Sequence, residues 1–179
     1  NTGGIVSQLL RIVGGDTVTV NRKNKEAWHG YLPARIVVYS NEALQLAEDY
    51  IAGEMGAAGL RVERQPFTWH GREFHNVLGT LDGTDPARPW VVVGAHFDSV
   101  AGSPGADDNA SGVAAMLEVA RALGRERLPA TVQFAGFNLE EVQNPLGGFH
   151  FGGGVHAVGA CRIGSRAYVR WLRSRGQAL

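Results

Sequence analysis

His96, Asp98, Asp108, Glu140 and Glu141 are residue types that, brought together, can bind a metal ion and move protons. Zinc accepts imidazole nitrogen and carboxylate oxygen readily. His96 offers the imidazole. Asp98 lies two residues further on, so an extended chain places both on one face. A carboxylate there can hold the other ring nitrogen and so fix the tautomer and orientation of the histidine. Asp108 falls within Gly105-Ala106-Asp107-Asp108-Asn109-Ala110-Ser111-Gly112, a tight turn in which Gly105 relaxes the backbone limits. Glu140 and Glu141 are adjacent; if one binds metal, the other is free to handle protons. Taken singly, each feature has an ordinary reading. A histidine after an apolar strand is commonly a half-buried polar residue. An Asp-Asp-Asn run is a helix cap with a favourable dipole placement, and paired glutamates at a strand end are commonly solvated. All three in order, two of them directly behind hydrophobic strands, argue for a site.

The elements that must position these residues follow from hydrophobic periodicity. Leu44, Ala47, Ile51, Met55 and Ala58 share one helical face, with Ser40 or Asn41 suited to the start and Gly59 to the stop. Arg61–Trp69 and Phe74–Leu81 read as strands joined at His70-Gly71 in a hairpin, and Asp82-Gly83, Pro86 and Pro89 mark a loop. Trp90–Phe97 is a continuous apolar run, the pattern of a strand buried on both faces. Asn109 caps a second helix whose inner face is Val113, Met116, Leu117, Ala120 and Leu123, stopped by Gly124. Thr131–Asn138 is a second buried strand. A last helix opens at Ser165 and runs through Arg173, with Gly176 after it. This is an α/β order with a mixed sheet, and it puts the candidate residues at the carboxyl ends of the two buried strands, where open α/β sheets bind ligands.

The segments Gly94-Ala95-His96-Phe97-Asp98-Ser99-Val100, Ser103-Pro104-Gly105-Ala106-Asp107-Asp108-Asn109-Ala110-Ser111-Gly112 and Glu140-Glu141 resemble the zinc aminopeptidase family M28. The resemblance runs from about Ser40 to Gly176. It takes in the helix before Gly59, the Asn76-Val77 strand and Gly164-Ser165-Arg166-Ala167-Tyr168. It implies a three-layer α/β/α sandwich and a site for two zinc ions. In that site His96 would bind one zinc, Asp108 would bridge the two and Glu141 would bind the second. Glu140 would act as general base toward the attacking water and then as acid toward the leaving amine, while Asp98 would orient His96. The implied substrate is a peptide with a free N-terminus. Secreted relatives are common, so a secreted or periplasmic setting is favoured.

The chain also departs from that pattern. The family has a further aspartate and a further histidine as ligands, C-terminal to the helix that is expected to begin at Ser165, and neither is found before Leu179. The expectation is therefore a C-terminally truncated domain over 1–179, with an uncertain segment over 1–39, that binds metal weakly; the alternative is a shortened homologue that binds metal differently or not at all. The incomplete sheet is expected to leave an open edge through which a homodimer forms. Val142–Ile163 is a glycine-rich insertion of the kind that covers active sites, and is expected to be the least ordered internal segment. His150 or His156 could replace a missing ligand, but an exposed histidine with no metal role is the favoured reading for both. Two rivals share the scaffold: a single-zinc glutaminyl cyclase and a non-catalytic binding or assembly domain.

Composition removes other classes. Lys plus Arg equals Asp plus Glu at 17 each among 179 residues, which provides no electrostatic case for nucleic acid or an anionic membrane. The longest apolar run, around Val91 to Ala95, is too short to span a bilayer. The single cysteine, Cys161, excludes an intrachain disulfide, and with no obvious base beside it a catalytic role is disfavoured. No internal repeat is visible.

Overall fold

The computed structural model describes residues 41–99, 105–141 and 162–177. The expectations for 1–40, for most of the 142–163 insertion, and for Cys161, His150 and His156 lie outside the described residues. Helix α1 spans Asn41–Ala57, strand β1 Arg61–Trp69, β2 Arg72–Leu81, β3 Val91–His96, helix α2 Ser111–Leu123, β4 Val132–Phe137 and helix α3 Ile163–Ser174.

The four strands form one mixed sheet in the order β1-β2-β4-β3. β1 and β2 are antiparallel, from Arg61 opposite Thr80 to Trp69 opposite Arg72. Their two-residue turn has positive φ at both His70 (47°) and Gly71 (73°), the twist that matches paired strands. β2 runs antiparallel to β4 and β3 parallel to it, with His96 opposite Phe137.

Alternation along the strands feeds two separate cores. On one face Val77, Ala95, Val132 and Phe134 pack with Ile51 and Met55 of α1 and Val113, Met116 and Leu117 of α2. On the other, Leu78 and Ala135 pack with Tyr168 and Leu172 of α3. The architecture is thus a three-layer α/β/α sandwich, as expected. Ile51 and Met55 are fully buried, and each contributes about 1.5–3 kcal/mol through apolar burial.

Both-face burial belongs to β2 and β4, not to the apolar run of β3. Among the described residues β3 is an edge strand, and Val91 remains 48% exposed. β3 still touches both cores, through Val93 and Ala95 on one face and Val92 on the other. β2 reads as less apolar, yet it occupies the middle because its polar side chains find partners inside.

Helix ends also refine the expectations. Gly59, at φ 88°, closes α1: its N–H reaches the Gly56 carbonyl (2.9 Å), while the Leu60 N–H reaches Met55 (3.1 Å). That paired pattern needs a left-handed residue, which glycine adopts without steric cost. Gly176 ends α3 in the same way. Gly124 does stop α2 but is right-handed; it is needed because a Cβ there would lie 2.0 Å from the Ala58 carbonyl oxygen. α3 starts at Ile163, two residues before Ser165, with Arg162 left-handed at φ 67°. Among the described residues no helix is long and apolar enough to cross a membrane.

Candidate metal centre

β3 and β4 run parallel, so their carboxyl ends lie side by side. The Phe97 N–H to Phe137 carbonyl bond (3.0 Å) carries the pairing one step beyond the ladder. His96 therefore emerges beside the chain that leads to Glu140 and Glu141. Its Nδ1 lies 3.1 Å from the backbone carbonyl of Asp98 and 3.5 Å from the Asp98 carboxylate. The expected orienting contact is present, but the closer partner of the ring is the main chain of Asp98. Burial works to lower the His96 pKa, and the hydrogen bond and charge of Asp98 more than offset it, raising it to about 9.

The buried Asp98 carboxylate has a second task that sequence reasoning missed. One of its oxygens accepts the Glu140 N–H at 3.0 Å and the other accepts the Glu141 N–H at 2.8 Å. The aspartate that faces the histidine thus also holds the backbone of both glutamates. No local pattern could reveal this link, because the partners are 42 and 43 residues apart.

Asp108 arrives from the turn before α2. Gly105 is left-handed (φ 61°), and a Cβ there would lie 2.8 Å from that of Ser99. Asp108 and Asn109 both leave helical geometry within this turn, and the peptide bond between them is cis. The expected capping role of Asn109 holds one turn in: its Oδ1 accepts the Gly112 N–H at 3.1 Å. Asp108 is left free to point at the histidine, with Oδ1 3.0 Å from Nε2 of His96.

The paired glutamates are half-buried rather than solvated. Burial, a hydrogen bond with Asp108 and the charges of Asp108 and Glu140 push the Glu141 carboxyl up to about 7. His96, Glu140 and Glu141 can present ligand atoms that all lie within 4.8 Å of one another, and Asp108 joins them through His96. All five candidate residues are therefore brought together. One imidazole nitrogen and several carboxylate oxygens, with the second histidine nitrogen held from behind, form a donor set that fits zinc.

The turn carrying the glutamates is anchored behind by residues to which sequence reasoning assigned no role. Leu139 is buried and left-handed (φ 55°). Fully buried Asn138 gives its N–H to Oδ1 of Asn76 (3.0 Å) and its side-chain amide to Glu48 (3.2 Å). The start of α3 closes over the same stretch, with N–H groups of Arg162, Ile163 and Gly164 on the carbonyls of Glu140, Leu139 and Asn138. Asn76 was visible only as part of a family resemblance; Glu48 and Asn138 carried no signal.

Residues 76–178 match the sequence profile of Peptidase family M28. The chain belongs to that family. Among relatives, it is 38% identical over 96 residues to leupeptin-inactivating enzyme 1 of Streptomyces exfoliatus, covering 52% of this chain and 22% of that protein. It is 40% identical over 77 residues to aminopeptidase YwaD of Bacillus subtilis, covering 42% of this chain and 17% of that one. The chain thus spans about a fifth of the length of these relatives. In fold it is similar to the crystal structure of a glutaminyl cyclase from Tannerella forsythia, with TM-score 0.64 and 22% identity over 92% of this chain and 53% of that one. The M28 family and the cyclase fold share this α/β/α frame, so the frame alone does not choose between their chemistries.

Proposed function

We propose that the chain carries the catalytic carboxylates of a zinc-dependent aminopeptidase, acting on peptides with a free N-terminus. The observation that carries this reading is the convergence of His96, Glu140 and Glu141 within 4.8 Å, with Asp108 on the outer nitrogen of the histidine. Sequence identity to an aminopeptidase over the stretch it matches supports it. His96, Asp108 and Glu141 would hold the metal, with Asp108 shared where two ions bind. Bound zinc supplies positive charge that acidifies water and polarises a carbonyl.

The remaining chemistry belongs to the protein. Glu140, the neighbour not assigned to the metal, takes the proton of the attacking water and delivers it to the leaving amine. Asp98 keeps the His96 ring and both glutamate backbones in one arrangement. That matters because small errors in placement at a reacting centre are costly in rate.

The test is a zinc titration followed by assay. Zinc should bind at this site, and a leucyl chromogenic substrate should be hydrolysed in a way that a chelator abolishes. Failure to bind zinc would overturn the reading. Conversion of an N-terminal glutamine peptide to pyroglutamate, without hydrolysis of the leucyl substrate, would replace it with the cyclase.

A further inference from the structure

Asn76 sits at the end of the β2–β4 ladder, whose last paired residues are Val77 and Gly136. It is fully buried. Its amide nitrogen donates to the Gly164 carbonyl at 2.9 Å and to Oε1 of Gln65 at 2.6 Å, and its Oδ1 accepts the Asn138 N–H at 3.0 Å. Both donor hydrogens and the acceptor are used. The side chain thus takes over where backbone pairing between β2 and β4 stops, and ties three elements at one point.

Glu48 of α1 holds Asn138 from another direction. It is 3% exposed, and its Oε1 accepts the Asn138 side-chain amide at 3.2 Å. A carboxylate buried in a helix face is costly unless it is hydrogen-bonded; one oxygen is bonded two residues before Glu140, while the other has no hydrogen bond among the described residues and lies 3.5 Å from Nδ1 of His75. Asn138 has little freedom left: its own Oδ1 accepts the Leu139 N–H at 2.9 Å, and its carbonyl accepts the Gly164 N–H.

We propose that Asn76 and Glu48 are positioning residues that, by immobilising Asn138, set where the Glu140 and Glu141 carboxylates stand relative to His96. The proposal rests on the metal-centre reading for its consequence in zinc affinity, but not for its consequence in backbone order. The network is built on this chain's own side chains and touches none of the candidate ligands directly.

The experiment compares Asn76→Ser with Tyr168→Phe in the 179-residue chain. Tyr168→Phe removes an equally buried hydrogen bond, from the tyrosine hydroxyl to Gln133 (2.6 Å), in the core beneath α3. It controls for mere loss of stability. Two quantities are read well below the unfolding temperature: zinc affinity, by competition of zinc chloride with a chromogenic chelator, and hydrogen exchange of the Glu140 and Glu141 amides. Asn76→Ser should weaken zinc by about ten- to a hundredfold, the usual cost of losing a group behind the ligands, and should speed exchange of both amides. Tyr168→Phe should do neither. If either quantity in Asn76→Ser stays at the level of Tyr168→Phe, the proposal is overturned. If the unaltered chain binds no zinc, the metal-centre reading fails, and the exchange comparison alone decides the positioning role. Should Asn76→Ser not fold, Glu48→Leu, which removes the acceptor of the Asn138 amide, is read by the same two measurements against the same control, with the same result required.

Discussion

Glu140 and Glu141 are neighbours with opposite requirements, and substitution can separate them. Glutamine keeps the size of glutamate and still hydrogen-bonds, but it cannot take a proton from water. Glu140→Gln should therefore retain zinc and lose turnover by about a hundredfold to ten-thousandfold, the usual cost of a missing general base. Glu141→Gln should weaken zinc first, because a ligand charge is removed. Metal content after dialysis and initial rates would show it; the reverse result would swap the roles. The titrations add a second expectation. A metal ligand must shed its proton, and in the metal-free chain His96 keeps its proton up to about 9 and Glu141 up to about 7. Zinc affinity should rise with pH through both values and level off above about 9, and calorimetry in buffers of different ionisation heat should detect proton release at neutral pH. The sign for stability is opposite. The raised His96 value means a contribution fully present below the ordinary histidine value and lost as pH rises through about 9. Urea midpoints of the metal-free chain should reflect that loss.

At the scale of elements, the turn after β4 depends on the first turn of α3. A Cβ at Gly164 would lie 2.1 Å from the Asn138 carbonyl oxygen and 2.5 Å from Oδ1 of Asn76. Gly164→Ala should therefore cost about 1–3 kcal/mol, as overpacked sites do, measured by urea denaturation. It should also lower zinc affinity, because the displaced atoms are those that fix the glutamate turn. How much of this was legible divides by range. The α1 face, the His70-Gly71 hairpin, the α2 face and the β4 strand follow from periodicity and turn chemistry, which are local. The five candidate residues follow from type and spacing. What stayed hidden is long-range: the Asp98 hold on Glu140 and Glu141, the Asn76–Asn138 tie and the buried Glu48 join residues far apart in sequence. The misplacement of β3 has the same origin. An apolar run shows that a strand meets two cores, but it does not reveal which strands lie beside it, and the polar side chains of β2 concealed a central position.

Across the whole molecule, stability should be graded from the middle of the sheet outward. β2 and β4 each pair on two sides and are buried on both faces, whereas β3 pairs only with β4 among the described residues. Native-state hydrogen exchange should find the slowest amides at Leu78, Thr80, Phe134 and Ala135, and faster exchange in β3. Uniform protection across all four strands would contradict this grading. Turnover is a property of the same scale. The chain spans about a fifth of the length of the relatives it matches. The 179-residue chain should accordingly hydrolyse a leucyl substrate far more slowly than a full-length relative assayed beside it.

The bonds from the Arg162, Ile163 and Gly164 N–H groups to Glu140, Leu139 and Asn138 have a consequence for how this framework tolerates change. The described residues on either side of 142–161 thus form a neck that is tied shut. Closing a flexible loop grows only slowly more costly with length, by about 0.6 kcal/mol for each doubling. A segment of different length joined at this neck should therefore place little tension on the residues that form it. The neck behaves as a socket, where segments of different length and composition can be exchanged while the carboxylates beneath keep their places. A chain in which 142–161 is replaced by a short Gly-Ser linker should retain the zinc affinity of the parent within a few-fold.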